Sequence, residues 1–417
     1  MVSKVISKSR NSKIDENATS LTNNKICCFL FYNMNLLKAQ IVRTPIDPSK
    51  ITYISIQSHL MKKVLYILLG LLAVAIMAIA IYVFTAPDIP ANTDAIIEQI
   101  TEMNLPEFYT GEEGYAQHDE VQLWYEKMAA KGGQTKGTVL LIMGYTSTSL
   151  MWPAHFYDHF LEAGYDVIRY DHRDIGKSTW SEEWSEEDPY TLEDMADDAR
   201  SILSDAGVDQ AHIIGISMGG MIAQTFAIRY PEVTQTLTSM SSTAYFDDES
   251  LPGIWPETER NMGRYILKYS MGKDAETFYR FRLTAKALFA GKNYEPDFLT
   301  DALKARYELE KRGGVNDLAS ERHEKAIQVS GSRYEALKKL DEPTLIIHGR
   351  ADPLVNFAHG EKTAALIPNA KTLYFDDLGH DIPPQFSGEM TDAILQMMDE
   401  HSPEAVVGDE VVSMETK

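Results

Sequence analysis

Cysteine is nearly missing from this chain: among 417 residues only Cys27 and Cys28 occur, side by side. Everything after residue 28 is therefore without disulfides, thiolate metal sites or a cysteine nucleophile. Glycine is missing from residues 1–60, and that stretch has no sustained apolar period. Basic residues are scarce in the body of the chain. Residues 1–63 hold ten Lys and Arg against three Asp and Glu, a surplus of +7; the remainder holds 29 against 58, or −29. An acidic body repels phosphate backbones, so nucleic acid is not an expected partner. The acidic run Ser181–Asp188 reads as solvated surface. There is no internal repeat and no low-complexity segment.

Charge is also missing from the 21 residues Val64 to Phe84, which are apolar on every side. As a helix this run spans ~31 Å, about one hydrocarbon core. Tyr66 and Tyr82 lie near its ends, Lys62 and Lys63 precede it, and Asp88 and Asp94 follow. The charge asymmetry places the N-terminal side in the cytoplasm and the rest outside, as a single-pass membrane protein. The alternative is a cleaved signal, with Ala78-Ile79-Ala80 resembling a cleavage site and a secreted or periplasmic product. Met61-Lys62-Lys63 before an apolar run is how a bacterial export segment begins. Met61 is thus the expected start, and 1–60 an extension that is disordered or not translated. Residues 61–86 form the signal-anchor, and Pro87 and Pro90 open a linker over 87–111.

From Glu112 the pattern is that of an α/β domain. Tyr115–His118 and Val121–Met128 read as strands joined by an acidic turn. Thr138–Met143 is a continuous apolar run suited to a strand buried on both faces. A helix over 154–163, a strand over 166–170, a helical period from Leu192 stopped by Gly207, and a strand over 233–240 follow. Such alternation predicts a parallel sheet covered by helices. It stops near Ala244; 245–340 is helix-like, and strands return at 343–349 and 371–375 before a helix over 388–400. The reading is a core in two parts, 112–244 and 341–401, with a helical cap inserted at 245–340 and an acidic tail at 402–417.

The chain is organised around Ala211–Tyr230. Here a short apolar strand, a turn with Gly215-Ile216-Ser217-Met218-Gly219, and a helix follow one another. G-x-S-x-G in that context puts a serine on a tight strand-to-helix turn, with helix amides close to a developing oxyanion. The plainer reading is a glycine-rich turn. A serine nucleophile needs a base and an orienting acid, in the chain order Ser, acid, His for such a fold. Asp352 follows strand 343–349 in GRADP, and His380 follows strand 371–375 in LGHD. Both fall at strand carboxyl ends, as Ser217 does. Asp247 and Asp248 are alternative acids; His348 reads as a core histidine and His359 as a helix-surface one. Backbone amides of Met218 and Tyr145 are the expected oxyanion donors. Asp171, His172 and Asp174 in YDHRDIGKS invite a metal reading, but Arg173 and Lys177 are interleaved, so a structural loop tied by Arg173 is preferred and no metal is assigned.

The set LLIMG, VIRYDHRDIGKST, HIIGISMGG, AIRYPE, HGRADP and LGHDIP is similar to the α/β-hydrolase superfamily over residues 112–400. Within it the chain most resembles serine esterases of the aclacinomycin methylesterase group. The resemblance implies an α/β-hydrolase fold with a mostly parallel eight-stranded sheet and inserted helical cap, no cofactor, and hydrolysis of a small carboxylic ester. It carries Ser217, Asp352 and His380 over as a triad. Many relatives have His-Gly where this chain has Met143-Gly144, and Tyr145-Thr146 stands in for smaller residues, which alters the expected pocket. Phe278, Tyr279, Phe281, Leu288 and Phe289 are candidate pocket lining from the cap; packing of the cap's own core is the competing role. Lipase, thioesterase, carbon–carbon bond hydrolase and perhydrolase activities use similar residues. A surface-anchored binding protein on the same scaffold is the non-catalytic alternative.

Overall fold

A computed structural model describes residues 48–270 and 272–401, with side chains from residue 59. The expectations for the extension before residue 48, including both cysteines, and for the tail at 402–417 lie outside the described residues. Two units are separate bodies, dividing at Ala86 and Pro87.

The first unit contains helix α1, Pro48–Phe84, which begins before the apolar run predicted from Val64. Its large apolar side chains from Val64 to Tyr82 stand exposed. His59–Phe84 is long and apolar enough to cross a membrane, and is the one such helix among the described residues.

The second unit is built on an eight-stranded sheet. Its strands are β1 (Glu112–His118), β2 (Val121–Met128), β3 (Thr138–Ile142), β4 (Asp166–Tyr170), β5 (Ala211–Ile216), β6 (Thr234–Met240), β7 (Thr344–Gly349) and β8 (Lys371–Phe375). They lie in the order β1-β2-β4-β3-β5-β6-β7-β8. The β1–β2 and β2–β4 pairs are antiparallel and every other pair is parallel. The β1–β2 turn needs one left-handed residue, and Asp119 takes it at φ 49°.

β3 and β5 are buried at every position because helices cover both faces. Leu140, Ile142 and Ile213 pack with α4 (Leu192–Asp205) and α5 (Met218–Arg229) on one side. Val139, Leu141, Ile214 and Ile216 pack on the other with α3 (Ala154–Ala163) and with α12 (Pro384–Glu400), which follows α11 (Phe357–Leu366) in the chain. Thr191 and Asp194 form a capping box that starts α4, and Gly207, at φ 69°, follows its end.

Between β6 and β7 the described residues form five helices: α6 (Pro256–Tyr269), α7 (Ala275–Phe289), α8 (Phe298–Lys311), α9 (Ala319–Ser330) and the single turn α10 (Tyr334–Leu337). The segment expected as a linker contributes a helix of its own, α2 (Thr93–Glu102). Its Ile96 and Ile100 share a core with Tyr279, Leu283, Phe298 and Ala302 of the cap. Asp88, just before it, binds Lys268, Tyr269 and Arg280. Residues 87–102 are therefore part of the folded cap.

The loop after β4 also meets the cap, in a way its sequence did not suggest. Arg173 makes a bidentate pair with Asp198 of α4, both contacts at 2.7 Å. The loop's own carboxylates go instead to cap arginines: Asp171 to Arg312, and Asp174 to Arg322 at 2.5 Å. Arg312 is buried and lies against the rings of Tyr109 and Trp124. Removing one partner of a buried pair leaves the other charge without solvent, which costs about 3–5 kcal/mol. Arg312→Met should lower the unfolding free energy by about that amount in urea denaturation. Adding Asp171→Asn to it should recover part of the loss, since the stranded charge is gone.

Candidate active site

The site forms where β5 hands over to α5. Ser217 sits there at φ 58°, ψ −125°, a strained position for a residue with a side chain. The strain is held by close backbone packing. A Cβ on Gly215 would lie 2.0 Å from the Gly219 carbonyl oxygen, and one on Gly219 would lie 2.1 Å from the oxygen of Ile142. One on Gly144 would lie 3.2 Å from Ser217 Cβ. The ends of β3 and α5 can touch only because these three positions lack side chains. Ser217 N donates to Met240 O at 2.9 Å, and Ser242 Oγ donates to Ser217 O at 2.7 Å.

Among the described residues the amides of Tyr145 and Met218 donate to no protein acceptor. One is on the loop after β3, next to Gly144, which packs on Ser217; the other is at the first residue of α5, where the helix dipole favours negative charge. The neighbouring amide is occupied: Thr146 N donates to His323 Nδ1 of α9 at 3.3 Å. Burial, with His172 beside it, pushes His323 down to about 3. It is thus neutral, and Nε2–H donates to Arg173 O at 3.1 Å. Tyr145 donates its hydroxyl to Ser320 O at 2.6 Å. The cap thereby holds the loop that would carry an oxyanion donor.

His380 and Asp352 meet at the ends of β8 and β7. His380 Nδ1 lies 2.8 Å from Asp352 Oδ2. Asp352 Oδ1 accepts from Leu354 N and Val355 N, both at 2.9 Å. Burial acts to raise the Asp352 carboxyl, but His380 and these hydrogen bonds outweigh it and hold it below the ordinary carboxylate value. The carboxylate fixes the ring with Nδ1–H as donor, leaving Nε2 as the basic nitrogen. Ser217 Oγ is not hydrogen bonded to His380 among the described residues; such contacts are often long without substrate.

The other acids sit elsewhere. Asp248 is bonded to Ser250 and to Tyr334, which hold it down at about 2, and Asp247 is exposed. His348 is buried in β7, its Nε2 2.9 Å from Val355 O. His359 is not on a helix surface: it is buried, 2.9 Å from Thr243 Oγ1 and 3.1 Å from Pro252 O. No cluster of three or more metal-ligating side chains occurs among the described residues.

The five aromatic and aliphatic cap positions divide. The Phe289 ring lies 6.4 Å from that of His380. Leu288 lines a cavity of about 240 Å³ beside Ala351 and Pro353, which flank Asp352. Tyr279 is buried in the cap's own core, Phe278 packs on that core, and Phe281 packs on Tyr269. The sequence reading missed Lys286, His323, Tyr294 and Asp381, all of which touch the loops of this site. Only Asp381, next to His380, carried a signal by position.

The alpha/beta hydrolase fold family matches the chain over residues 137–385. Rhodomycin D methylesterase DauP of Streptomyces sp. (strain C5) is 30% identical over 279 residues, covering 64% of this chain and 91% of that protein. Among solved structures, the meta-cleavage product hydrolase CumD of Pseudomonas fluorescens IP01 superposes with a TM-score of 0.54 at 22% identity, over 69% of this chain and 97% of its own. A bacterial membrane phospholipase A superposes with a TM-score of 0.54 at 19% identity, over 81% of this chain and 99% of its own. The chain belongs to the alpha/beta hydrolase fold family.

Gly219→Ala should cost about 1–3 kcal/mol in thermal unfolding through overpacking. It should lower kcat/KM on an ester by more than that loss predicts, because the atoms it displaces flank Ser217.

Proposed function

We propose that the protein hydrolyses small carboxylic esters through an acyl-enzyme on Ser217. His380 Nε2 takes the serine proton as Oγ attacks the acyl carbon, then returns it to the leaving alcohol. Asp352 holds the ring and stabilises the imidazolium. The amides of Met218 and Tyr145 receive the oxyanion. Water, activated by His380, then releases the acid. The observation that carries this reading is the His380–Asp352 hydrogen bond, 2.8 Å, formed at the carboxyl ends of β7 and β8 in the same parallel sheet whose β5 ends at the strained Ser217 turn. A methyl ester is the first substrate to test, since the similar Streptomyces protein is named a methylesterase.

The reading includes an anchor. The exposed apolar helix is followed by Asp88 and Asp94 and preceded by Lys62 and Lys63. Under the positive-inside rule this places the hydrolase domain outside the cytoplasm.

Ser217→Ala should lower ester turnover by roughly 10⁴–10⁶-fold with circular dichroism unchanged, and should abolish labelling by a fluorophosphonate probe. Asp352→Asn should cost about 10⁴-fold through the wrong imidazole tautomer. Near wild-type turnover of Asp352→Asn, with Asp248→Asn inactive, would overturn the acid assignment. Alkaline phosphatase fused after residue 100 should be active in a bacterial host, and full-length enzyme in a detergent-free soluble fraction would contradict the anchor.

A further inference from the structure

The loop that carries His380 is fastened to one end of cap helix α7. Its backbone is bonded there at two points: His380 N donates to Phe289 O at 2.8 Å, and Lys292 N donates to Asp377 O at 2.9 Å. Between them Gly291 and Gly379 press together; a Cβ on Gly379 would lie 2.2 Å from Gly291 N, and one on Gly291 would lie 2.3 Å from Gly379 N. Tyr294 Oη accepts from the amides of both glycines, at 2.8 and 3.4 Å. Backbone contact this close admits little sliding, so the loop goes where the end of α7 goes.

One side chain sets that end. Lys286, one turn before the end of α7, lies 2.6 Å from Asp381 Oδ1 and 2.8 Å from Asp301 Oδ2 of α8. Asp381 follows His380 directly, and the same Oδ1 accepts from Ile382 N at 2.8 Å. Lys286 thus joins the two cap helices to the residue beside His380. Burial acts to lower its ammonium, yet the two carboxylates outweigh burial and hold it charged. Lys286 makes no bond to Ser217, His380 or Asp352 among the described residues, so any effect on chemistry runs through the loop.

We propose that Lys286 is a positioning residue of the hydrolase reaction: through Asp381 it holds His380 at the place where its Nε2 serves Ser217. This rests on the Ser217, His380 and Asp352 reading. A base displaced by about 1 Å costs on the order of 10²-fold in turnover.

The test compares Lys286→Met, Lys286→Arg and Ser217→Ala in the full chain, on a short-chain ester. Lys286→Met should lower kcat by on the order of 10²-fold with KM within about twofold, and Lys286→Arg should recover most of it. The downfield proton resonance of the His380–Asp352 hydrogen bond should move or broaden in Lys286→Met and return in Lys286→Arg. If the stranded carboxylates prevent folding, Lys286→Met with Asp381→Asn and Asp301→Asn removes both charges and should show the same loss of kcat. A folded Lys286→Met enzyme, or that triple variant, with wild-type kcat and an unmoved resonance would overturn the proposal while Ser217→Ala stays inactive. Loss of thermal stability alone, with kcat per folded molecule unchanged, would overturn it equally. Turnover surviving in Ser217→Ala would instead refute the reading on which it rests.

Discussion

The site depends on a contact between backbones. The start of α5 lies against the ends of β3 and β5 so closely that a single methyl group at Gly215 or Gly219 would overlap a carbonyl oxygen. That contact holds Ser217 at φ 58°, with Met218 next in the helix and Gly144, the residue before Tyr145, packed on the Ser217 Cβ. A serine left to itself would relax out of this conformation. The strain persists because a sheet buried on both faces over-determines the positions of the strands on either side.

The cap does more than cover the sheet. It is bonded to the loop after β3 through Ser320 and His323, and to the loop after β7 through Trp255 N and Pro353 O. To the loop after β8 it is bonded through Phe289 and Lys286. Salt bridges at Asp171 and Asp174 add two ties to the loop after β4. Such buried charges contribute little net stability against an apolar core, but leaving one of them without its partner is costly.

Residues 87–102 extend this arrangement. Asp88 is gripped by Lys268, Tyr269 and Arg280, and Ile96 and Ile100 complete the cap's core. The segment that leaves the apolar helix is thus folded into the helices that hold the His380 loop. Ile96, Ile97 and Ile100 carry the helical spacing in the sequence, while Pro87 and Pro90 just before them are residues typical of a linker.

The sequence by itself determined the sheet, the turn and the apolar run. A continuous apolar strand such as Thr138–Ile142 and a largely apolar one such as Ala211–Ile216 suit a doubly covered sheet, and glycines flanking Ser217 mark a turn where backbones touch. These are local signals, carried by neighbouring residues. It also narrowed the acid to Asp352, Asp247 or Asp248. Asp352 is the first choice among them by its place after a strand; that its carboxylate reaches the His380 ring, between strand ends 28 residues apart, is a distance only the tertiary structure gives. In the same way it sent Arg173 to Asp198 rather than to its neighbours, buried His359, and divided the five cap side chains between the His380 loop, a cavity and the cap's core. Each depends on which helix packs beside which loop. A charged side chain such as Lys286 looks the same in sequence whether it meets water or two carboxylates.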